Sequence, residues 1–209
     1  MLGSIFGKKI GMTQIFTKDG KVVPVTAIDA GNWFVTQIKT QDKDGYSALQ
    51  LGLLKKRYNQ DSLAGNWLKI KKQLFSLFKE IKVKEEDLNN FKIGQKISLD
   101  KTVLSENDNV KVSGKSIGLG FQGVVKRWGF GGGPDSHGSN FHRIPGSVGN
   151  ICSQGKVVKG KKLPGQTGNK NISIKNLKII KLDKDSDVLF LKGSVPGKKE
   201  SLVLINKQG

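Results

Sequence analysis

Residues 113–170 are the part of this chain that most limits what it can fold into. They hold nine basic side chains, the single acid Asp135 and 15 of the 27 glycines, with almost no apolar periodicity. A segment of this composition buries too little apolar surface to build a core of its own. Long stretches of this kind inside a compact domain are usually functional or disordered. Because four aromatic side chains interrupt the glycines, we expect a long loop that becomes ordered by packing into a partner.

The charge of the whole chain indicates what that partner is. Lys and Arg outnumber Asp and Glu by 36 to 17, and residues 113–170 carry the largest share of the excess. Such an excess repels itself in the compact state and indicates a polyanionic partner. The sequence contains no apolar run near the roughly 20 residues needed to cross a membrane, and no signal- or transit-peptide pattern. Nucleic acid is therefore the expected partner rather than a membrane. The one cysteine, Cys152, cannot form an internal disulfide, which fits a reducing cytoplasm.

Both flanks of this loop have the pattern of short strands. Six segments are rich in β-branched residues or alternate between apolar and polar side chains. They are Lys21–Asp29, Phe34–Thr40, Tyr46–Leu53, Ile172–Leu182, Val188–Lys192 and Ser201–Asn206. Asp-Gly signals in Thr17–Gly20 and Gln41–Gly45 favour hairpins. Closely spaced short strands predict a mainly β fold, an antiparallel barrel or a sandwich.

One helical insertion is predicted between the strands. Apolar residues recur at steps of one, three and four, which places them on one face of a helix. They are Trp67, Ile70, Leu74, Leu77, Phe78 and Ile81. The acidic segment Lys84–Asn90 predicts a second short helical turn. Residues 55–95 are therefore expected to be a helical insertion.

Nucleotide-binding patterns are present but incomplete. Gly118, Gly120 and Gly123 fit G-x-G-x-x-G, but Val124–Trp128 follows as a strand-like basic run where the dinucleotide fingerprint needs a helix. Gly114–Ser116 resembles the end of a phosphate-binding loop that lacks its upstream glycine. We therefore predict no nucleotide cofactor and no small-molecule substrate.

Metal and catalytic sites are also not expected. His137, His142 and Cys152 match no strong zinc spacing, and a fourth ligand is missing. Asp135 beside two histidines lacks a nucleophile and a second carboxylate. The histidines are better explained as polar-loop residues that donate hydrogen bonds or stack.

RNA contact explains the remaining residues of the loop. Lys126–Trp128 sets two cations beside a large ring, and His142 and Arg143 set a planar cation beside an imidazole. A dense basic run follows at Lys156–Lys162. Cations bind phosphates, and guanidinium and aromatic planes stack on exposed bases. If six to nine phosphates were neutralised, RNA affinity would fall steeply with salt.

The same residues resemble a known family. Five motifs stand in the order and spacing of the bacterial form of the universal large-subunit ribosomal protein family L-three. They are Gly7–Phe16, Gly114–Trp128, Ser136–Gly149, Gly155–Gly168 and Val188–Gly197. The resemblance covers nearly the whole chain. It implies a translation-protein-type antiparallel β-barrel with a small helical insertion and a long irregular RNA-penetrating extension. The barrel would comprise residues 1–112 and 171–209, and the glycine-rich extension residues 113–170.

The resemblance also implies a role. The family is a non-catalytic constituent of the large subunit in the cytoplasm, and it contacts neighbouring ribosomal proteins. It acts early in subunit assembly and extends through the RNA toward the peptidyl transferase centre. The expected rRNA-binding residues are Lys115, Lys126, Arg127, Trp128, His137, His142, Arg143, Lys156, Lys159, Lys161 and Lys162. The expected tip of the extension includes Gly146, Ser147, Gly149, Asn150 and Cys152.

The tip departs from the family pattern. Asn150 and Cys152 stand where glutamines are expected, and Gln154 stands where proline is usual. Many bacterial members methylate a glutamine side chain here, and we predict no such modification in this chain. Two other functions remain as alternatives: a free-standing RNA chaperone, and an enzyme that binds a nucleotide at the glycine-rich loop.

Overall fold

A computed structural model describes residues 2–17, 19–58, 67–149 and 155–208 of the chain. Strands make up 44% of the structure and helices 12%, so the predicted mainly β class is confirmed. The chain divides into two compact units, one formed by residues 1–115 with 171–209 and the other by residues 116–170. None of the described helices is long and apolar enough to cross a membrane.

The first unit contains a closed six-stranded antiparallel barrel, which confirms the predicted barrel. Its order is β1-β12-β7-β10-β11-β2. The strands are β1 (Ser4–Phe16), β2 (Val22–Asp29), β7 (Asn109–Lys115), β10 (Asn171–Asp183), β11 (Val188–Lys192) and β12 (Leu202–Lys207). Inward side chains such as Val112, Ile179 and Ile205 are fully buried. Closure leaves no free edge, so every strand has a partner on both sides.

The barrel strands agree with the sequence in most places. Predicted segments lie on β2, β10, β11 and β12, and β11 has the predicted bounds. In the predicted hairpin turn between β1 and β2, Thr17 N–H donates to the carbonyl oxygen of Lys21, and Lys21 N–H donates to the Thr17 hydroxyl. The sequence does not predict β1 or β7 as strands. In β1 a register shift between Lys9 and Gly11 breaks the alternation, and in β7 only Val110 and Val112 point into the core.

A four-stranded sheet of order β5-β4-β3-β6 completes the first unit. Its strands are β3 (Trp33–Lys39), β4 (Ala48–Leu54), β5 (Phe75–Lys82) and β6 (Lys96–Ile97). A short helix, α1 (Gln41–Asp44), occupies the predicted turn between β3 and β4. The helix α3 (Glu85–Leu88) lies within the predicted turn Lys84–Asn90.

The predicted helix over residues 67–81 is wrong beyond Leu74. A 3₁₀ turn (Trp67–Ile70) and the helix α2 (Lys71–Leu74) are followed by the strand β5. Strand β5 pairs along the whole of β4, and this places Phe75 in a cluster with Phe34 and Trp67. Residues 75–81 also fit a strand with one buried face, because Phe75 and Ile81 are buried and Leu77 is half-buried between them. Pairing with β4 decides the outcome, since tertiary contacts override local propensity. In the described part of residues 55–95, helical turns at Trp67–Ile70, Lys71–Leu74 and Glu85–Leu88 therefore stand on either side of the strand β5, so the predicted insertion is only partly helical.

The barrel also fixes where the second unit is inserted in the chain. Strands β7 and β10 are neighbours, and Lys115 at the end of β7 pairs with Asn171 at the start of β10. Residues 116–170 therefore leave and rejoin the barrel at adjacent positions. Neighbouring strands thus carry both ends of the glycine-rich stretch.

Candidate nucleic-acid interface

The second unit begins with a paired base, which we call the neck (residues 116–122 and 165–170). Its strands β8 (Gly120–Gln122) and β9 (Gly165–Thr167) are antiparallel. Backbone hydrogen bonds extend the pairing, with Leu119 N–H donating to Thr167 O and Ser116 N–H to Lys170 O, both at 2.9 Å. Gly168 has φ +73°, and a Cβ there would lie 2.1 Å from the carbonyl oxygen of Ile117. The sequence suggested an irregular stretch, whereas its base is in fact a pair of hydrogen-bonded strands.

The basic run Val124–Trp128 forms a short helix, α4, so its prediction as strand-like is wrong. Val124 at its start is 2% exposed. Gly129 ends the helix in the left-handed conformation with its N–H bonded to Val125 O. The buried Val124 and the helix-ending Gly129 stabilise one helical turn here. The β-branched pair Val124 and Val125 alone had suggested a strand.

Helix α4 contacts the returning arm of the loop. The Arg127 guanidinium donates a hydrogen bond from Nη1 to the carbonyl oxygen of Leu163 at 2.6 Å, and Trp128 donates from Nε1 to the same oxygen at 2.9 Å. Arg127 Cζ lies 4.9 Å from the centre of the Trp128 ring, and Lys162 Nζ lies 5.9 Å from it. Three predicted RNA-binding residues are thus brought together.

The two histidines lie in a folded loop beyond α4. Gly133 donates its N–H to the carbonyl oxygen of His142 at 2.7 Å, which closes the loop. His142 Nδ1 lies 3.4 Å from Asp135 Oδ1, so the one acid of this unit has a partner within it. His137 and His142 both have positive φ, at 57° and 32°, and both are exposed. Within the described part of the chain, no group of three His, Cys, Asp or Glu side chains could hold a metal ion.

The cations of this unit face solvent. It holds eight basic side chains, of which seven are exposed and Arg127 is half-buried. The exposed ones are Lys126, Arg143, Lys156, Lys159, Lys161, Lys162 and Lys170. Among the residues that the structure describes, none of these seven forms an ion pair with a carboxylate. Their charge is therefore available to an outside partner.

The apolar side chains of this unit are also mostly uncovered. Nine of the 19 exposed large hydrophobic residues of the described chain belong to it, with Phe121 the most exposed at 74%. Trp128 is 42% exposed and Phe141 is 39% exposed. Val124 is its only described hydrophobic residue that is buried. Exposed aromatic faces beside unpaired cations have the composition of an RNA-binding surface.

The remaining predicted residues lie in different places. Lys115 is exposed at the end of β7, in the first unit. Of the predicted tip, Gly146, Ser147 and Gly149 are described, and the Ser147 hydroxyl donates to Gly149 O at 2.8 Å. Asn150 and Cys152 lie outside the described residues, as does Gln154. Lys170 and Phe121 are exposed but are not among the binding residues predicted from the sequence, although the charge excess and the aromatic content of this stretch pointed to them.

Known proteins match the chain over nearly its full length. A sequence profile described as Ribosomal protein L3 matches residues 82–188, which include the whole second unit. A protein of Geobacter metallireducens named large ribosomal subunit protein uL3 is 41% identical over 207 residues, covering 98% of this chain and 97% of that protein. The chain belongs to the ribosomal protein L3 family. The resemblance found in the motifs is thereby confirmed.

Other members of the L3 family are equally similar. A protein of Thermosipho melanesiensis with the same name is 45% identical over 201 residues, which is 96% of each chain. One from Dehalococcoides mccartyi is 41% identical over 210 residues and covers 100% of both. Both matches extend through the barrel strands as well as through residues 116–170. The L3-family assignment therefore applies to both units.

Proposed function

We propose that this chain is a non-catalytic structural constituent of the large ribosomal subunit that binds large-subunit rRNA directly. The names of its relatives support membership of the large ribosomal subunit, and the net charge of +19 supports RNA as the polyanionic partner. A protein of this kind acts in translation, in the cytoplasm, and contacts neighbouring ribosomal proteins. It needs no cofactor and no small-molecule substrate.

The observation that carries this proposal is the exposure of the second unit. Among the described residues of this unit, seven cations without an ion pair and nine large hydrophobic side chains are exposed, and one hydrophobic side chain is buried. An excess of exposed apolar side chains within one unit indicates an interaction site. The unpaired cations favour a polyanion, because Lys and Arg side chains that bind phosphates release the counterions condensed on the nucleic acid. Folded RNA offers both phosphates and exposed bases.

The two units have different parts in this proposal. Residues 1–115 and 171–209 include the barrel, and residues 116–170 form an extended loop that penetrates the RNA. The extended loop begins at β7 and returns at β10, so the barrel fixes both of its ends. We place its tip near Gly146–Gly155, directed toward the peptidyl transferase centre. Contacts made along such a loop favour an early role in subunit assembly, before the surrounding RNA has closed.

Sedimentation tests the assignment directly. Large subunits from the source cells should retain the protein when they are washed at moderate salt. A protein that leaves the subunits under these conditions would instead be a free RNA chaperone. Binding of labelled ATP or NAD to the pure protein, tight and stoichiometric, would support the enzyme alternative and contradict the proposal.

Charge reversal tests the basic run. Changing Lys159, Lys161 and Lys162 to glutamate should impair assembly of the large subunit while the barrel stays folded. A matched control reverses Lys69, Lys72 and Lys92, which are exposed lysines of the first unit outside any described ion pair. Normal subunit profiles from the first variant would contradict a role of this run in RNA binding.

Limited proteolysis tests the extended loop. In the free protein, residues 113–170 should be cut more readily than the barrel, because this stretch buries so little apolar surface. In the assembled subunit the same bonds should be protected. Equal protection in both states would mean that the stretch is stable without RNA.

A further inference from the structure

Arg127 and Trp128 differ from the neighbouring Lys126, because their side chains are hydrogen-bonded within the protein. Lys126, beside them on α4, is exposed and has no ion pair among the described residues. Arg127 is half-buried, and its Nη1 is bonded to the Leu163 carbonyl at 2.6 Å. The indole N–H of Trp128, its only polar group, is bonded to the same oxygen at 2.9 Å. Both donors are thus engaged inside the protein.

The Leu163 carbonyl is a meeting point between the two arms of the extended loop. Arg127 and Leu163 are 36 residues apart in sequence, and Leu163 directly follows the basic run Lys156–Lys162. Two donors on one turn of α4 bind the same carbonyl oxygen. Together they fix the distance and the orientation of the returning arm. Lys162, the last lysine of the run, lies 5.9 Å from the Trp128 ring centre as a result.

Gly165 provides the space for this contact. A Cβ at this position would lie 2.6 Å from Arg127 Nη1 and 3.2 Å from Cζ. The neighbour is the end of a flexible side chain rather than backbone. A methyl group at residue 165 would therefore displace the guanidinium without breaking the β8–β9 pairing.

We propose that Arg127 and Trp128 are positioning residues, which join α4 to Leu163 and so hold Lys161 and Lys162 in the geometry that binds RNA phosphates. This inference rests on the proposed function and gives Arg127 an indirect part in it. The lysines contact the phosphates, and Arg127 sets where the lysines stand. The Arg127 guanidinium stacks on the Trp128 ring at 4.9 Å, so this ring stabilises the arrangement from within the protein.

A double-mutant cycle with full-length protein and protein-free large-subunit rRNA tests the inference. Gly165→Ala changes no charge and removes no donor, yet it should weaken RNA binding about tenfold, the effect of losing one hydrogen bond from a charged donor. Arg127→Lys keeps the charge but loses the planar fork, and should weaken binding by a similar factor. The double variant should be no weaker than either single variant, because both act through one contact. Gly131→Ala is the matched control, since a Cβ there has open space.

Lys126 provides the comparison with a direct phosphate contact. Lys126→Gln should add to either single variant and should flatten the salt slope by about 0.7 to 0.9, as expected for one lost phosphate contact. Affinity that survives in Arg127→Lys, or losses in Gly165→Ala and Arg127→Lys that add fully, would overturn the inference and make Arg127 a direct RNA contact. Wild-type protein without salt-dependent binding would instead overturn the proposed function itself.

Discussion

Neutralising the basic run should change the salt dependence of RNA binding by a predictable amount. The perturbation is the triple change of Lys159, Lys161 and Lys162 to glutamine. In the wild type, seven exposed cations of the second unit are free of carboxylate partners in the described structure. Each phosphate that a cation neutralises contributes about 0.7 to 0.9 to the slope of log affinity against log salt. If all seven bind phosphates, the slope is about −5 to −6.

The expected affinities follow from that slope. Raising salt from about 50 to about 200 mM should weaken wild-type binding by about a thousandfold to several thousandfold. The triple variant keeps four of the seven cations, so its slope should be about −3 to −4 and its loss over the same range on the order of a hundredfold. Filter binding of the full chain to protein-free large-subunit rRNA at several salt concentrations measures both slopes.

A matched neutralisation makes the result specific. Changing Lys69, Lys72 and Lys92 of the first unit to glutamine removes the same charge from the whole protein. If general electrostatic attraction alone drives binding, the two triple variants will have equal slopes. An unchanged slope after loss of Lys159, Lys161 and Lys162 would refute the assignment of phosphate contacts to this run.

Three further changes test other contacts in the structure. Asp187→Asn should lower the free energy of unfolding by about 1.5 to 3 kcal/mol, because this buried carboxylate accepts a hydrogen bond from Lys96 at 2.8 Å; an unchanged urea midpoint would contradict it. The hydrogen bond from Lys207 holds the pKa of Asp108 at about 2, so the contribution of this group to stability is complete above about pH 4 and is lost as the pH falls toward 2. Asp108→Asn should therefore reduce the acid sensitivity of unfolding in that window, and an identical pH profile would argue against the ion pair. Gly168→Ala should loosen the neck, because its Cβ would meet a backbone oxygen at 2.1 Å; proteolysis of residues 116–170 at the wild-type rate would exclude this.

Strands with a clear period of two could be predicted from sequence, and those without it could not. Strand β11 has the predicted bounds, because Leu189 and Leu191 alternate with less buried residues. Strand β5 was predicted as a helix, because its apolar residues satisfy periods of 3.6 and of two. Only pairing with β4, about 25 residues earlier in the chain, decides between them. A local pattern does not contain that information.

The residue types of the candidate interface could be predicted, but their arrangement could not. Charge excess and aromatic residues indicated Lys126–Trp128 and Lys156–Lys162 as parts of one surface. That Arg127 is bonded to the Leu163 carbonyl depends on the pairing of β8 with β9, which brings residues 36 apart into contact. Neither strand is longer than three residues, and such short strands have no periodicity to detect.

The internal contacts of residues 116–170 change the energetic account of how such a stretch binds RNA. A fully disordered segment would lose roughly 1 to 2 kcal/mol of conformational free energy for each residue ordered on binding. The neck, the one-turn helix α4, the Leu163 contact and the loop closed between Gly133 and His142 already restrict much of this backbone. The ordering cost on binding is therefore smaller than the glycine content suggests, and more of the phosphate and stacking energy remains as affinity. Glycine has two opposite effects here, because it loosens the unfolded chain and also permits the close backbone approach at Gly168 that holds the neck together.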